Sequence, residues 1–209
     1  KSKDQAVGRE LVSSLLKSPA ATSLFPDQIQ SVVDGYGAET AEQAVPLLKR
    51  IAEENSSRIE KLQEVLALVP KADIRRGLKV FQSEKASCLA CHQRGYIGGR
   101  IGPGLNNIGR VRSHRDLVES ILFPSLSFVR SYEPIMIVTT DGKQHNGLLK
   151  SESAESVTLL IDARKTVEIQ KWEIEIRQPG RVSVMPAGLD KQLTPQQLAD
   201  LVKYLKKAD

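Results

Sequence analysis

The sequence predicts a mainly α-helical chain with one β insertion, and two periodicities and one turn carry that expectation. Apolar residues recur at intervals of three and four across residues 1–70 and again around 74–81 and 198–205, the spacing that lines one face of a helix. Between 134 and 178 the apolar residues instead alternate, as on a half-buried strand. Within that stretch Asp141-Gly142, set between two β-rich runs, is a strong short-range hairpin signal. The chain of 209 residues therefore divides into a helical N-terminal region, 1–70, a helical domain made of 71–133 and 179–209, and an inserted antiparallel β subdomain, 134–178.

In the N-terminal region Val7, Leu11, Val12, Leu15 and Leu16 make one amphipathic stripe that ends before Pro19. Pro26 opens a second helix carrying Ile29, Val32 and Val33, which stops at Gly35 or Gly37. Thr40 and Gln43 cap a third, which Pro46 is expected to kink or break. Ser57 and Glu60 form a capping box for a fourth, with Leu62, Val65, Leu66 and Val69 inside and Pro70 at its end. Nothing in this region carries chemistry, and a packing or spacer role is expected, with a helical-repeat remnant of a longer chain as the alternative.

In the helical domain Ile74, Leu78 and Phe81 share a stripe beside Gly77. The last helix opens with Thr194 as N-cap, Pro195 at its first position and Gln197 closing a capping box, with Leu198, Leu201, Val202 and Leu205 on one face. Strands are expected over 134–140, 144–150, 156–161 and 166–177. Trp172 falls in the last of them, where core packing is the expected role and partner docking the alternative.

The chemistry of the chain is concentrated in Cys88-Leu89-Ala90-Cys91-His92. Two thiols separated by two residues can add to the two vinyl groups of one protoporphyrin, and the adjoining histidine then sits as an axial ligand to the iron. These are the only two cysteines in the chain. A closed zinc site needs four ligands, and beyond His92 only His114 and His145 remain as histidine donors. A dithiol redox pair belongs at a strand-to-helix turn of a βαβ unit, a pattern missing around residue 88. Covalent haem c, one per chain, is the expected cofactor, with Cys88 and Cys91 as its attachment points and His92 on the metal.

A second axial ligand is expected from Met185, in the loop Val184-Met185-Pro186-Ala187-Gly188 ahead of the capped last helix. The other methionine, Met136, lies in a strand-like run and reads as core filler. His114, just inside a helix capped by Ser113, and His145, beside a turn, are expected to be exposed rather than ligating. Arg110 and Arg112 are placed to pair with haem propionates, with plain surface positions as the alternative.

On these residues the chain resembles class I cytochromes c. Gly77 and Phe81 match that family's Gly-x-x-x-Phe/Tyr pattern on its first helix, and Tyr204 matches the aromatic that packs on it from the last. The segment Gly99-Arg100-Ile101-Gly102-Pro103-Gly104-Leu105 resembles the family's haem-flanking loop, which implies that the Pro103 carbonyl accepts the Nδ1 hydrogen of His92. Such a partner fixes the imidazole's orientation and raises its basicity as a ligand.

The order of motifs is also similar to a narrower family, the haem-binding domain of planctomycetes and verrucomicrobia. It runs through Gly77-x-x-Val80-Phe81, Cys88-x-x-Cys91-His92, Gly102-Pro103-Gly104-Leu105, Glu119-Ser120-Ile121-Leu122-x-Pro124-Ser125, Asp141-Gly142, Gly147 and Val184-Met185-Pro186-x-Gly188-Leu189. The match covers roughly residues 74–206. It implies a haem module attached to, or serving, an exported dehydrogenase-like protein.

Composition narrows the remaining classes. A net charge of +5 comes without a basic stripe interleaved with aromatics, so nucleic-acid binding is not expected. The sequence contains no run of 18 apolar residues, so no membrane span is expected. Haem c is attached outside the cytoplasmic membrane, so a periplasmic or otherwise exported location is expected and the chain reads as a mature or excised piece. With His92 and Met185 both on iron, the expectation is an electron-transfer module that is not itself an enzyme, with a redox partner protein or a fused dehydrogenase domain. The alternative is a haem enzyme or gas sensor with a displaceable distal ligand. A peroxidase-like site needs a distal acid–base pair, and no His/Arg pair is positioned for one.

Overall fold

In the computed structural model, which describes residues 4–18, 21, 24 and 26–207, the chain opens with helix α1, Gln5–Lys17, started by the Asp4 side chain accepting from the Ala6 N–H at 2.8 Å. Pro19 lies outside the described residues. Helix α2 is Pro26–Val33, followed by a 3₁₀ turn over Asp34–Tyr36 and by Gly37 at φ +97°, a backbone conformation open to glycine. Val12, Ile29, Val33, Ala44, Leu47 and Ile51 form the core here, and Arg50 donates to the Leu15, Leu16 and Ser18 carbonyls at the end of α1.

The expected third and fourth helices are one. Helix α3 runs unbroken over Ala38–Leu68 with Pro46 inside it, and Thr40 and Ser57 are interior positions rather than caps. Pro46 and Glu42 both lie on the exposed side, so the carbonyl that loses its N–H partner at Pro46 faces water. Ser57 lies inside this ladder, its Ser-x-x-Glu pattern in the middle of a continuous helix rather than at a start.

The chain divides into two compact units, Lys1–Lys61 and Leu62–Asp209. The division lies before the 70/71 boundary read from the sequence because Leu62, Val65 and Val69 pack into the core of the second unit. Helix α4, Ile74–Gln82, is capped by Asp73, and the short α5, Cys88–Cys91, and α6, Ile108–Val111, follow. Helix α7 is His114–Leu122 with a Ser113/Asp116 capping box. After the β insertion come α8, Leu189–Gln192, and α9, Pro195–Lys206, the latter with the expected Thr194/Gln197 capping box.

Helices α4 and α9 cross at Gly77. A Cβ there would stand 2.0 Å from the Asp200 carbonyl oxygen, so only glycine lets the two backbones meet. Phe81 and Tyr204 pack beside the crossing, ring centres 5.5 Å apart. The buried Asp200 carboxylate fastens the same point, accepting from Arg76 Nε at 2.6 Å, the Asp73 N–H at 2.8 Å and Gln196 Nε2 at 3.0 Å. Burial pushes this carboxyl up, but those donors outweigh it and hold it below its ordinary value.

The insertion is a five-stranded antiparallel sheet in the order β4-β3-β2-β1-β5: β1, Ile135–Thr139; β2, Gln144–Glu152; β3, Ser156–Leu160; β4, Thr166–Gln170; β5, Ile174–Pro179. The unit is thus helical with an inserted β-sheet. The single last strand expected over 166–177 is split by a 3₁₀ turn at Lys171–Glu173, which lets β5 return to the far side of β1. Glu152 steadies that turn, meeting Lys171 and Arg177 each at 2.9 Å. Trp172 rides on the turn and is 77% exposed, so it is not core. The sheet's own core is Ile137, Val157, Leu159 and Ile169, small enough to close without it.

Candidate functional site

The two cysteines and His92 are set by a turn that the sequence builds from serines. The Ser83 side chain accepts from the Ala86 N–H and donates to Val80 O, ending α4, and Ser87 takes a left-handed conformation at φ +51° that redirects the chain into α5. One helical turn then brings Cys88 and Cys91 to the same side, and the His92 N–H donates to Cys88 O at 2.9 Å before the backbone extends.

The loop 98–105 folds over this turn at van der Waals contact. The Gly99 N–H donates to Leu89 O at 2.8 Å, and the Gly102 N–H donates to Cys91 O at 2.8 Å. A Cβ on Gly99 would lie 2.2 Å from Ala90 O, and one on Gly102 would lie 2.5 Å from His92 Cε1. Both positions need glycine so that the loop can lie against the motif and the imidazole. His92 Nδ1 lies 2.8 Å from Pro103 O, and because a carbonyl only accepts, Nδ1 carries the hydrogen. Nε2 therefore keeps the ring's lone pair.

Cys88, Cys91, His92, Pro103 and Met185 all line one cavity of about 460 Å³, within the range of small-molecule and cofactor sites. Most of its remaining wall is apolar: Phe81 from α4, Leu117 and Ile121 from α7, Leu201 and Leu205 from α9, and Leu148 from β2. Met185 is held in place by a relay, its N–H donating to Ser183 Oγ at 3.1 Å while the Ser183 N–H donates to Ser125 Oγ at 3.0 Å. Arg112 lines the cavity; Arg110, His114, His145 and Met136 do not.

Burial pushes the Cys88 thiol up to about 11 and raises Cys91 as well, the latter with a further push from the Asp162 carboxylate. A reactive dithiol needs the opposite shift, toward thiolate. Burial lowers His92, against the opposing pull of the Pro103 carbonyl, and so favours the neutral imidazole that can bind a metal. Among the described residues no group of three or more His, Cys, Asp and Glu side chains comes together as a site for a bare metal ion. The largely apolar wall and the neutral imidazole of His92 suit a metal carried within an apolar group.

Two contributors escaped the sequence reading. Arg94, 4% exposed, donates to Leu105 O and Lys207 O at 2.8 Å each and lies 4.6 Å from the centre of the Tyr204 ring, tying the loop to the end of α9. Nothing in the sequence marks it, since an arginine two residues past the motif ordinarily faces water. Phe123, Phe128 and Tyr132 supply another wall, and their signal was present as aromatics clustered in a chain poor in them. Comparison with protein-family models and with curated protein sequences finds no match.

Proposed function

We propose that the second unit is a mono-haem c-type cytochrome module of class I type, similar to the planctomycete and verrucomicrobial haem domain, that carries single electrons. The observation that supports this best is the convergence of Cys88, Cys91, His92, Pro103 and Met185 on one largely apolar cavity. In this reading Cys88 and Cys91 hold the porphyrin through thioethers, and His92 Nε2 and the Met185 sulfur bind the iron. The haem supplies a one-electron iron couple. The protein's work is orientation and exclusion: Pro103 fixes the imidazole, the serine relay fixes Met185, and the apolar wall keeps water from the metal. The partner is a redox protein or a dehydrogenase, attached or separate, and the location is outside the cytoplasmic membrane, where haem c is made. Among the described residues no helix is long and apolar enough to cross a membrane.

With His92 and Met185 both on the iron, the reduced protein would exchange electrons quickly with small mediators, bind carbon monoxide weakly and turn over little peroxide. Carbon monoxide titration of the reduced protein and a peroxidase assay check this. Tight carbon monoxide binding with fast peroxide turnover would replace the carrier with the alternative, a haem enzyme or gas sensor.

A further inference from the structure

We infer that the β insertion takes part in the haem site: the β3–β4 turn forms one wall of the cavity and sets the Asp162 carboxylate there as a fixed negative charge that lowers the cofactor's reduction potential. The inference rests on the haem reading above. The sheet is otherwise a self-contained fold with its own core. Yet Leu148 of β2 and Asp162 and Ala163 of the β3–β4 turn line the cavity shared by both cysteines and His92.

The carboxylate is held, not loose. It accepts from the Arg164 N–H at 2.8 Å and the Lys165 N–H at 3.0 Å, and the Ile161 N–H donates to Lys165 O at 2.9 Å across the same turn. The other acidic side chains of the cavity wall are engaged elsewhere among the described residues: Asp116 caps α7, and Glu119 pairs with Arg115 at 2.9 Å. Asp162 is held by backbone N–H groups, which leave its charge in place. Reduction adds one electron, delivered by a redox mediator, to a centre facing that charge. The repulsion favours the oxidised form, and because Asp162 is itself exposed, solvent screening keeps the effect modest.

Asp162→Asn keeps an oxygen for the turn's N–H groups and removes the charge. In the haem-loaded full chain, equilibrated with a one-electron mediator and read by its absorption spectrum, this variant shows a reduced-to-oxidised ratio at least twofold higher. That is an upward shift of about 18 mV or more, at 59 mV per tenfold. Asp162→Glu, which keeps the charge, stays with the unmodified protein. Glu175→Gln, which removes a carboxylate from β5 away from the cavity, moves the ratio by less than half as much. An unchanged ratio in Asp162→Asn, or an equal shift in Glu175→Gln, overturns the inference alone. Absence of any haem spectrum in the unmodified protein overturns the haem reading and this inference with it.

Discussion

Gly77→Ala is expected to destabilise the second unit although alanine is the better helix former. The helix preference gained is about 1 kcal/mol. Against it stands a methyl group 2.0 Å from Asp200 O and 2.6 Å from the Asp200 carbonyl carbon, atoms of a backbone that cannot rotate aside. Overpacking of this kind costs about 1–3 kcal/mol where side chains can yield, and more where they cannot. Parting α4 from α9 also loosens Phe81 against Tyr204 and the bonds to Asp200. The net loss is about 2 kcal/mol or more, or roughly 4–8 °C in melting temperature for a unit of this size. Thermal unfolding of the unmodified protein, Gly77→Ala and Gly104→Ala checks it. Gly104 is the control, since a Cβ there meets nothing within 4 Å and its backbone is not left-handed. A Gly77→Ala protein as stable as Gly104→Ala would mean the helices do not meet this closely.

Met185→Ala is expected to change the chemistry while sparing the fold. The Met185 loop is tied by backbone and serine bonds, its N–H to Ser183 and Ser183 to Ser125, which the substitution leaves intact. On the proposed haem reading, what goes is a soft sulfur ligand that favours ferrous iron. The weak near-infrared sulfur-to-iron band of the oxidised protein disappears. The reduction potential falls by on the order of 0.1 V, within the range of about 0.8 V over which axial ligands set haem potentials. Carbon monoxide binding and peroxide turnover rise together. Met136→Ala keeps the band, because Met136 lies in β1 and does not line the cavity. Loss of the band in Met136→Ala, with retention in Met185→Ala, would reverse the ligand assignment.

Local chemistry made much of this structure legible. The Ser113 N-cap, the Thr194 capping box, the Asp141-Gly142 turn and the alternation over 134–178 are short-range signals, and each marks an element close to where it lies. The Cys-x-x-Cys-His spacing was equally plain as a pattern, and its residues, with Pro103 and Met185, come to one cavity. What was not legible depends on distant partners. The unbroken α3 needed the knowledge that Pro46 faces water, and the split after Gln170 depends on a pairing of β5 with β1. Trp172 lies in a run that alternates well enough to suggest burial, yet it sits on the turn that interrupts the strand. Arg94 gains its partners, and Asp162 its place on the cavity wall, only when α9 and the β3–β4 turn arrive beside the motif.

Covalent attachment tests the central claim most directly. The chain is produced with an export signal in a host that attaches haem c, denatured in detergent, separated on a gel and stained for haem, with Cys88→Ala, Cys91→Ala and the double variant alongside. If the proposal holds, two thioethers keep the haem on the unfolded unmodified chain, so its band stains, and its intact mass exceeds that of the bare chain by one haem. Each single variant keeps less colour and the double variant keeps none. An unmodified band that loses its colour on denaturation, with the mass of the bare chain, would contradict the account.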